Sequence, residues 1–155
     1  MDTTPNPPAV IDDENFSVSR TITIAATPDR VWQAITEPEH IVKWFGSGAT
    51  LDRLEAGGKG TWTFDGYGDV PILVEAMDPM RSITYRWGDT TSPDIDPAAS
   101  TVFTLTLTPI DGGTQLHVVE TGFQTLANPK RQMSDNQEGW TSELDKLVAL
   151  LGGSV

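Results

Sequence analysis

The stretch TPDRVWQAITEPEHIVKWF, residues 27–45, decides how this chain is organised. Thr27 is suited to cap a helix that begins at Pro28, because a proline at the first helical position loses no hydrogen bond and already has a helical φ. Pro38 ends that helix and is suited to begin a second one. Each helix is shorter than the roughly 12 residues that an isolated helix needs in water. We therefore expect both helices to pack on a larger partner.

Residues 46–123 supply that partner, because their apolar residues recur with the period of two that is typical of strands. In the segment TVFTLTLT, Phe103, Leu105 and Leu107 share one face and threonines occupy most of the other. Glycine-containing turns such as Gly57-Gly58 and Asp65-Gly66 separate the strand-like segments. With a first strand near Val18, the pattern predicts an antiparallel sheet of about seven strands.

The last element is a long helix at the C-terminus. Its strongest amphipathic section runs from Trp140 to Leu151, with apolar residues at helical spacing. A polar run at Ser134, Asp135 and Asn136 is expected to interrupt the pattern, so the helix should be strongest after it. The order of elements predicts an α+β fold in which a curved antiparallel sheet wraps around the C-terminal helix, with two short helices after the first strand.

Composition limits the classes of function and location. The 155 residues include 22 acidic and 10 basic side chains, for a formal net charge of -12, which argues against nucleic acid as a partner. Cysteine is absent, and no apolar run reaches the length of about 20 residues that membrane insertion requires. We expect a disordered N-terminal tail over residues 1–15, a single domain over 16–155 and a cytoplasmic location.

Four motifs in this order resemble a known family. They are the stretch at 27–45, SITYRW at 82–87, GGTQLHVVETGF at 112–123 and EGWTSELDKLVALL at 138–151. Together they resemble the SRPBCC superfamily, also called START-like or helix-grip, and in particular the branch named after the activator of the heat-shock-protein-90 ATPase. The resemblance implies an elongated cavity between the sheet and the C-terminal helix. It also implies a chaperone-related, stress-response role as one possible function.

The candidate ligand-binding residues are mostly aromatic. They are Trp44, Phe45, Trp62, Phe64, Tyr85, Trp87, Phe103, Glu120 and Trp140. The aromatic members either fill a core or line a cavity, since apolar side chains serve both purposes. We expect a cavity of at least about 300 Å³ between the C-terminal helix and the pair of short helices.

Glu120 is the one charged candidate. Strand alternation places it on the same face as Leu116 and Val118, which should meet the C-terminal helix. It is then a ligand anchor or acid/base group, a structural partner of Arg86 or Tyr85, or a group that reaches water near the edge of the sheet.

Three functions remain open from the sequence. The leading one is binding of a small hydrophobic or aromatic ligand in the cavity. The alternatives are a co-chaperone-like protein-interaction domain and a cyclase- or hydrolase-type enzyme that would need Glu120 beside a tyrosine or histidine. We expect binding rather than catalysis, with no catalytic residue and no cofactor. We also expect no metal, because His40 and His117 lack partners at metal-ligand spacing.

Overall fold

A computed structural model describes residues 6–155 and arranges them around one antiparallel sheet. The strands are β1 (Val10–Asp12), β2 (Ser17–Ile24), β3 (Gly48–Leu51), β4 (Lys59–Phe64), β5 (Gly68–Asp78), β6 (Ser82–Trp87), β7 (Thr101–Ile110) and β8 (Gly113–Thr121). The helices are α1 (Pro28–Thr36), α2 (Pro38–Ile41) and α3 (Pro129–Leu150), with a 3-10 turn at Phe123–Thr125. The strands lie in the order β1-β2-β8-β7-β6-β5-β4-β3.

The predicted α+β helix-grip fold is confirmed. The helix α3 buries Met133, Trp140, Leu144 and Leu147. The inward-facing residues of β7, among them Phe103 and Leu105, are also buried. Because one face of the sheet and one side of α3 are both apolar, packing them together removes both from water.

The short helices are anchored as the opening stretch predicts. The Thr27 side chain accepts a hydrogen bond from the backbone of Arg30, and α1 begins at Pro28. The second helix, α2, is a single turn that ends at Ile41, and Trp44 and Phe45 lie just beyond it. The indole of Trp44 donates to the Ala34 carbonyl at 2.8 Å, which joins this turn to α1.

The N-terminal segment is more ordered than the sequence predicts. The strand β1 pairs with β2, and Ala9 is 1% exposed. The buried Arg20 donates to the Pro7 carbonyl at 2.7 Å, and the Thr141 hydroxyl accepts from the Ala9 amide at 3.0 Å. The prediction of disorder is therefore wrong for residues 6–15, because side chains of β2 and α3 satisfy backbone groups that composition alone leaves unpaired. Residues 1–5 lie outside the described residues.

The predicted interruption of the C-terminal helix is also wrong. The helix α3 is continuous over 22 residues, and Asn128 caps it by accepting from the Arg131 amide. Within the polar run, Gln132 donates to Asn136 at 2.8 Å, a pair one helical turn apart. Ser134 and Asp135 are exposed to solvent and Asn136 faces the sheet, where it hydrogen-bonds to Glu120, so the polar run continues the helix instead of ending it.

The packing of α3 predicts a large effect for Trp140→Ala. Trp140 is 3% exposed, and its ring centroid lies 5.2 Å from that of Phe103 and 5.7 Å from that of Phe45. We expect the substitution to lower the free energy of unfolding by about 3–5 kcal/mol in urea denaturation. The control Leu150→Ala, at a position 41% exposed on the same helix, should cost less than about 1 kcal/mol. Equal effects would contradict the packing described here.

Candidate functional site

The carboxylate of Glu120 lies at the centre of the polar contacts between α3 and the sheet. On β8, Glu120 faces inward together with Leu116 and Val118, and it is 0% exposed. Its Oε1 atom accepts from the Trp140 indole and from the Asn136 amide, each at 2.9 Å.

Its Oε2 atom accepts from the Thr101 hydroxyl at 2.5 Å, the Trp87 indole at 3.0 Å and the Asn136 amide at 3.1 Å. We call Glu120 and these four side chains the Glu120 cluster.

The partners that the sequence suggested for Glu120 are engaged elsewhere. Arg86 forms an ion pair with Glu75 at 2.5 Å, and the Tyr85 hydroxyl donates to the Ile35 carbonyl at 2.8 Å. The structural pairing of Glu120 with Arg86 or Tyr85 is therefore wrong. The four neighbours that replace them are all hydrogen-bond donors without a positive charge.

Burial and hydrogen bonding act on Glu120 in opposite directions. Complete burial raises the pKa of the Glu120 carboxyl above its usual range, because the charged form loses its hydration. Hydrogen bonds from Thr101, Trp140, Asn136 and Trp87 lower the pKa and offset part of that effect. An indole N–H can only donate, so the two tryptophans match the ionised form of the carboxyl.

A cleft of about 650 Å³ lies beside this cluster. It runs between the first half of α3, the turn that joins β4 to β5 and the loop that joins β6 to β7. Its lining residues are Phe45, Phe64, Tyr67, Trp87, Gly88, Asp89, Ala99, Ser100, Thr101, Leu126, Ala127, Asn128, Arg131, Gln132, Asp135, Asn136, Gly139 and Glu143. Three of the cluster residues, Trp87, Thr101 and Asn136, therefore form part of its wall.

The predicted aromatic residues divide between this cleft and the core. Phe45, Phe64 and Trp87 line the cleft. The others surround a space of only about 10 Å³, which is close to the room that one water needs. They are Trp44, Trp62, Tyr85, Phe103 and Trp140. The prediction of a cavity between α3 and the short helices is thus wrong in position, because these aromatic rings fill that region.

One group of potential metal ligands lies apart from the cleft. The ligand atoms of Glu37, Glu39 and His40 lie within 4.8 Å of one another, although sequence spacing did not indicate them. His40 and Glu37 are 3.5 Å apart and form an ion pair when the imidazole is protonated. The other histidine, His117, hydrogen-bonds to Thr21 on β2. Surface acidic groups commonly lie this close together without an ion.

Comparison with known families decides the identity of the fold. Residues 25–152 match the family described as Activator of Hsp90 ATPase homolog 1-like protein. The chain belongs to this family. No curated protein matches it. Within residues 6–155, no helix is long and apolar enough to cross a membrane.

Solved structures support the same fold for this family member. Protein MLL2253 from Mesorhizobium loti is 28% identical, with a TM-score of 0.74 over 87% of this chain and 96% of that one. Protein Ms6760 from Mycobacterium smegmatis is 24% identical, with a TM-score of 0.76 over 97% and 99%. DynU16, from the dynemicin biosynthetic locus, is 22% identical, with a TM-score of 0.71 over 87% and 46%.

Most residues of the cleft lining were not predicted from the sequence, and three of them are central to the site. Thr101 and Asn136 bond to Glu120, and Gly139 lies in the middle of α3 along the cleft. A glycine inside a helix is the one signal that could have pointed here, because it costs about 1 kcal/mol relative to alanine. Thr101 and Asn136 gave no signal, since their role depends on contacts between distant segments.

The hydrogen bonds of Glu120 predict that Glu120→Gln is destabilising. An amide has one acceptor oxygen, and its NH₂ group would face donors that have no acceptor to meet. We expect the free energy of unfolding to fall by about 1–3 kcal/mol at neutral pH. The control is Gln115→Glu, an exchange between the same two residue types on the opposite face of β8. It should change the free energy of unfolding only slightly. No loss in Glu120→Gln would show that the donors are satisfied without the carboxylate.

The raised pKa of Glu120 predicts a pH dependence with a definite sign. At pH values between the usual glutamate pKa of 4.5 and the higher pKa of Glu120 in the folded protein, the folded protein binds a proton that the unfolded chain does not. The free energy of unfolding of the natural chain, measured relative to Glu120→Gln, should therefore rise as pH falls through that window. A difference that falls with decreasing pH would mean that hydrogen bonding outweighs burial.

Proposed function

We propose that this protein binds a small apolar or aromatic molecule in the cleft beside the Glu120 cluster. The observation that carries the proposal is the cleft itself, with its volume of about 650 Å³ and its aromatic wall. Ligand sites in proteins commonly have volumes of about 300–1,000 Å³ and are lined largely by apolar and aromatic side chains.

The aromatic wall is continuous with the core. The ring centroid of Phe45 lies 5.2 Å from that of Phe64 and 6.1 Å from that of Trp87. Tyr67, in the turn between β4 and β5, is 63% exposed at the cleft. A flat apolar ligand would gain contact with these rings and cover an aromatic side chain that is otherwise exposed to water.

The wall is also held in position before any ligand arrives. The Trp87 indole donates to both Thr101, at 2.8 Å, and Glu120, at 3.0 Å. A side chain fixed in this way loses little conformational entropy on binding, which favours affinity.

Gly139 supports the proposal from the side of the helix. A Cβ atom at this position would have no atom within 4 Å, so close packing does not require glycine here. A larger side chain at residue 139 would instead extend into the cleft. Glycine is a poor helix former, and it stands here where the absence of a side chain leaves the cleft open.

The alternatives receive less support. An enzyme was expected to place a tyrosine or histidine beside Glu120, whereas the described partners of Glu120 are tryptophan, threonine and asparagine side chains. A co-chaperone-like role draws on the family description. The likeness to DynU16 supports the shared fold, and its origin in a biosynthetic locus is compatible with a small-molecule ligand.

Blocking the cleft tests the proposal. The probe is 1-naphthalenemethanol, an uncharged aromatic alcohol, titrated into the protein by calorimetry. We expect Gly139→Phe to weaken its binding at least about tenfold, because the new ring occupies the ligand's space. The melting temperature should not fall, since glycine is the poorer helix former.

Ser134→Phe is the matched control, because it adds the same ring to the same helix at an exposed position outside the cleft lining. It should leave binding of the probe unchanged. Equal binding by the natural chain and Gly139→Phe would overturn the proposal, as would the absence of binding to the natural chain. A co-chaperone-like role would then be the better explanation of the family fold.

A further inference from the structure

Glu120 determines which side chains in the polar wall of the cleft donate hydrogen bonds and which accept them. The carboxylate can only accept, so Asn136 must turn its NH₂ group toward it, with distances of 2.9 and 3.1 Å to the two oxygens. The Asn136 carbonyl oxygen consequently points the other way, and it accepts from the Gln132 amide at 2.8 Å. One buried carboxylate thus orients two successive amides of α3.

The order of donors and acceptors determines which groups of the wall remain available to hydrogen-bond with a ligand. Gln132 lines the cleft and is partly exposed. One hydrogen of its NH₂ group donates to Asn136, while the other hydrogen and the carbonyl oxygen can still meet a ligand. Thr101 and Trp87 also direct their donors to Glu120. Most donors in this part of the wall are therefore engaged within the protein, and the Gln132 carbonyl oxygen remains to accept from a ligand.

The charges around the cleft also favour a ligand that donates hydrogen bonds and carries a positive charge. The lining contains three carboxylates, Asp89, Asp135 and Glu143, and one cation, Arg131. Glu143 is neutralised by Lys146 at 2.7 Å. Hydrogen bonds from Thr91 lower the pKa of Asp89, so this carboxyl is ionised at neutral pH.

Arg131 is exposed at the rim of the cleft. Its single positive charge offsets only part of the negative charge of the two remaining carboxylates, Asp89 and Asp135. The formal net charge of the whole chain, -12, adds to the unfavourable potential for an anion. A cation placed against the aromatic wall would also gain a cation–π interaction.

We propose that the ligand of the cleft is an arylalkylamine, whose aromatic rings lie on Phe45, Phe64 and Trp87 and whose ammonium group faces the acceptors of α3. This proposal rests on the proposed function and specifies the chemical class of its ligand. An aromatic carboxylic acid of the same size would meet acceptors and negative charge at the same place.

Three probes with the same naphthalene ring test the proposal on the natural chain. They are 1-naphthylmethylammonium, the neutral 1-naphthalenemethanol and the anionic 1-naphthoate. By calorimetry at neutral pH and low salt, we expect the ammonium to bind about tenfold more tightly than the alcohol, with the carboxylate weakest. Added salt should reduce the difference between the charged probes.

Two single-charge variants locate the effect. Asp135→Asn should weaken binding of the ammonium about threefold, because it removes a carboxylate from the cleft. Glu138→Gln removes the same charge at an exposed position on α3 that does not line the cleft, and it should leave the affinities of all three probes unchanged. Arg131→Gln should strengthen binding of the ammonium.

The outcomes separate this inference from the proposed function. If the alcohol binds and Gly139→Phe blocks it, but the ammonium binds no better than the carboxylate, the amine proposal is overturned and the binding cleft remains. Equal effects of Asp135→Asn and Glu138→Gln would also overturn it, since the preference would then come from the overall charge. If none of the three probes binds, both proposals fail.

Discussion

The structure depends on a carboxylate that is buried between the sheet and the helix that packs on it. An ion without water is costly unless hydrogen bonds replace its hydration. For Glu120, two of the donors belong to α3, Asn136 and Trp140, and two belong to the strands, Thr101 and Trp87. Because these donors must meet at one group, Glu120 sets the position of α3 relative to β6, β7 and β8.

The same cluster separates two regions with different packing. On the side of Trp140, aromatic rings fill the interior around a space of about 10 Å³. On the side of Asn136, the rings end and a cleft of about 650 Å³ begins. Trp87 has contacts with both regions, since its ring stacks with Trp140 and lines the cleft. A wall held from the core side in this way can stay in place whether or not the cleft is occupied.

The sequence predicts most of the fold, because periodicity and caps are local properties. Thr27 and Pro28 begin a helix, and alternation on β8 places Glu120 inward. The site is harder to predict because it depends on where elements end relative to one another. Trp62 and Phe64 are two residues apart on β4 and share a face, yet Trp62 is buried in the core and Phe64 lines the cleft. No local pattern distinguishes them.

Binding of a ligand on the wall that Glu120 holds can be followed by two-dimensional ¹⁵N–¹H NMR during titration with 1-naphthalenemethanol. The chain has five tryptophans, so five indole signals report on different places. We expect saturable shifts of the signals from the Trp87 indole and the Gly139 amide, which lie at the cleft. The signal of the Trp32 indole, on α1, should not shift. Shifts of the Trp32 signal with none for Trp87 and Gly139 would show that the molecule binds elsewhere and that the cleft is not its site.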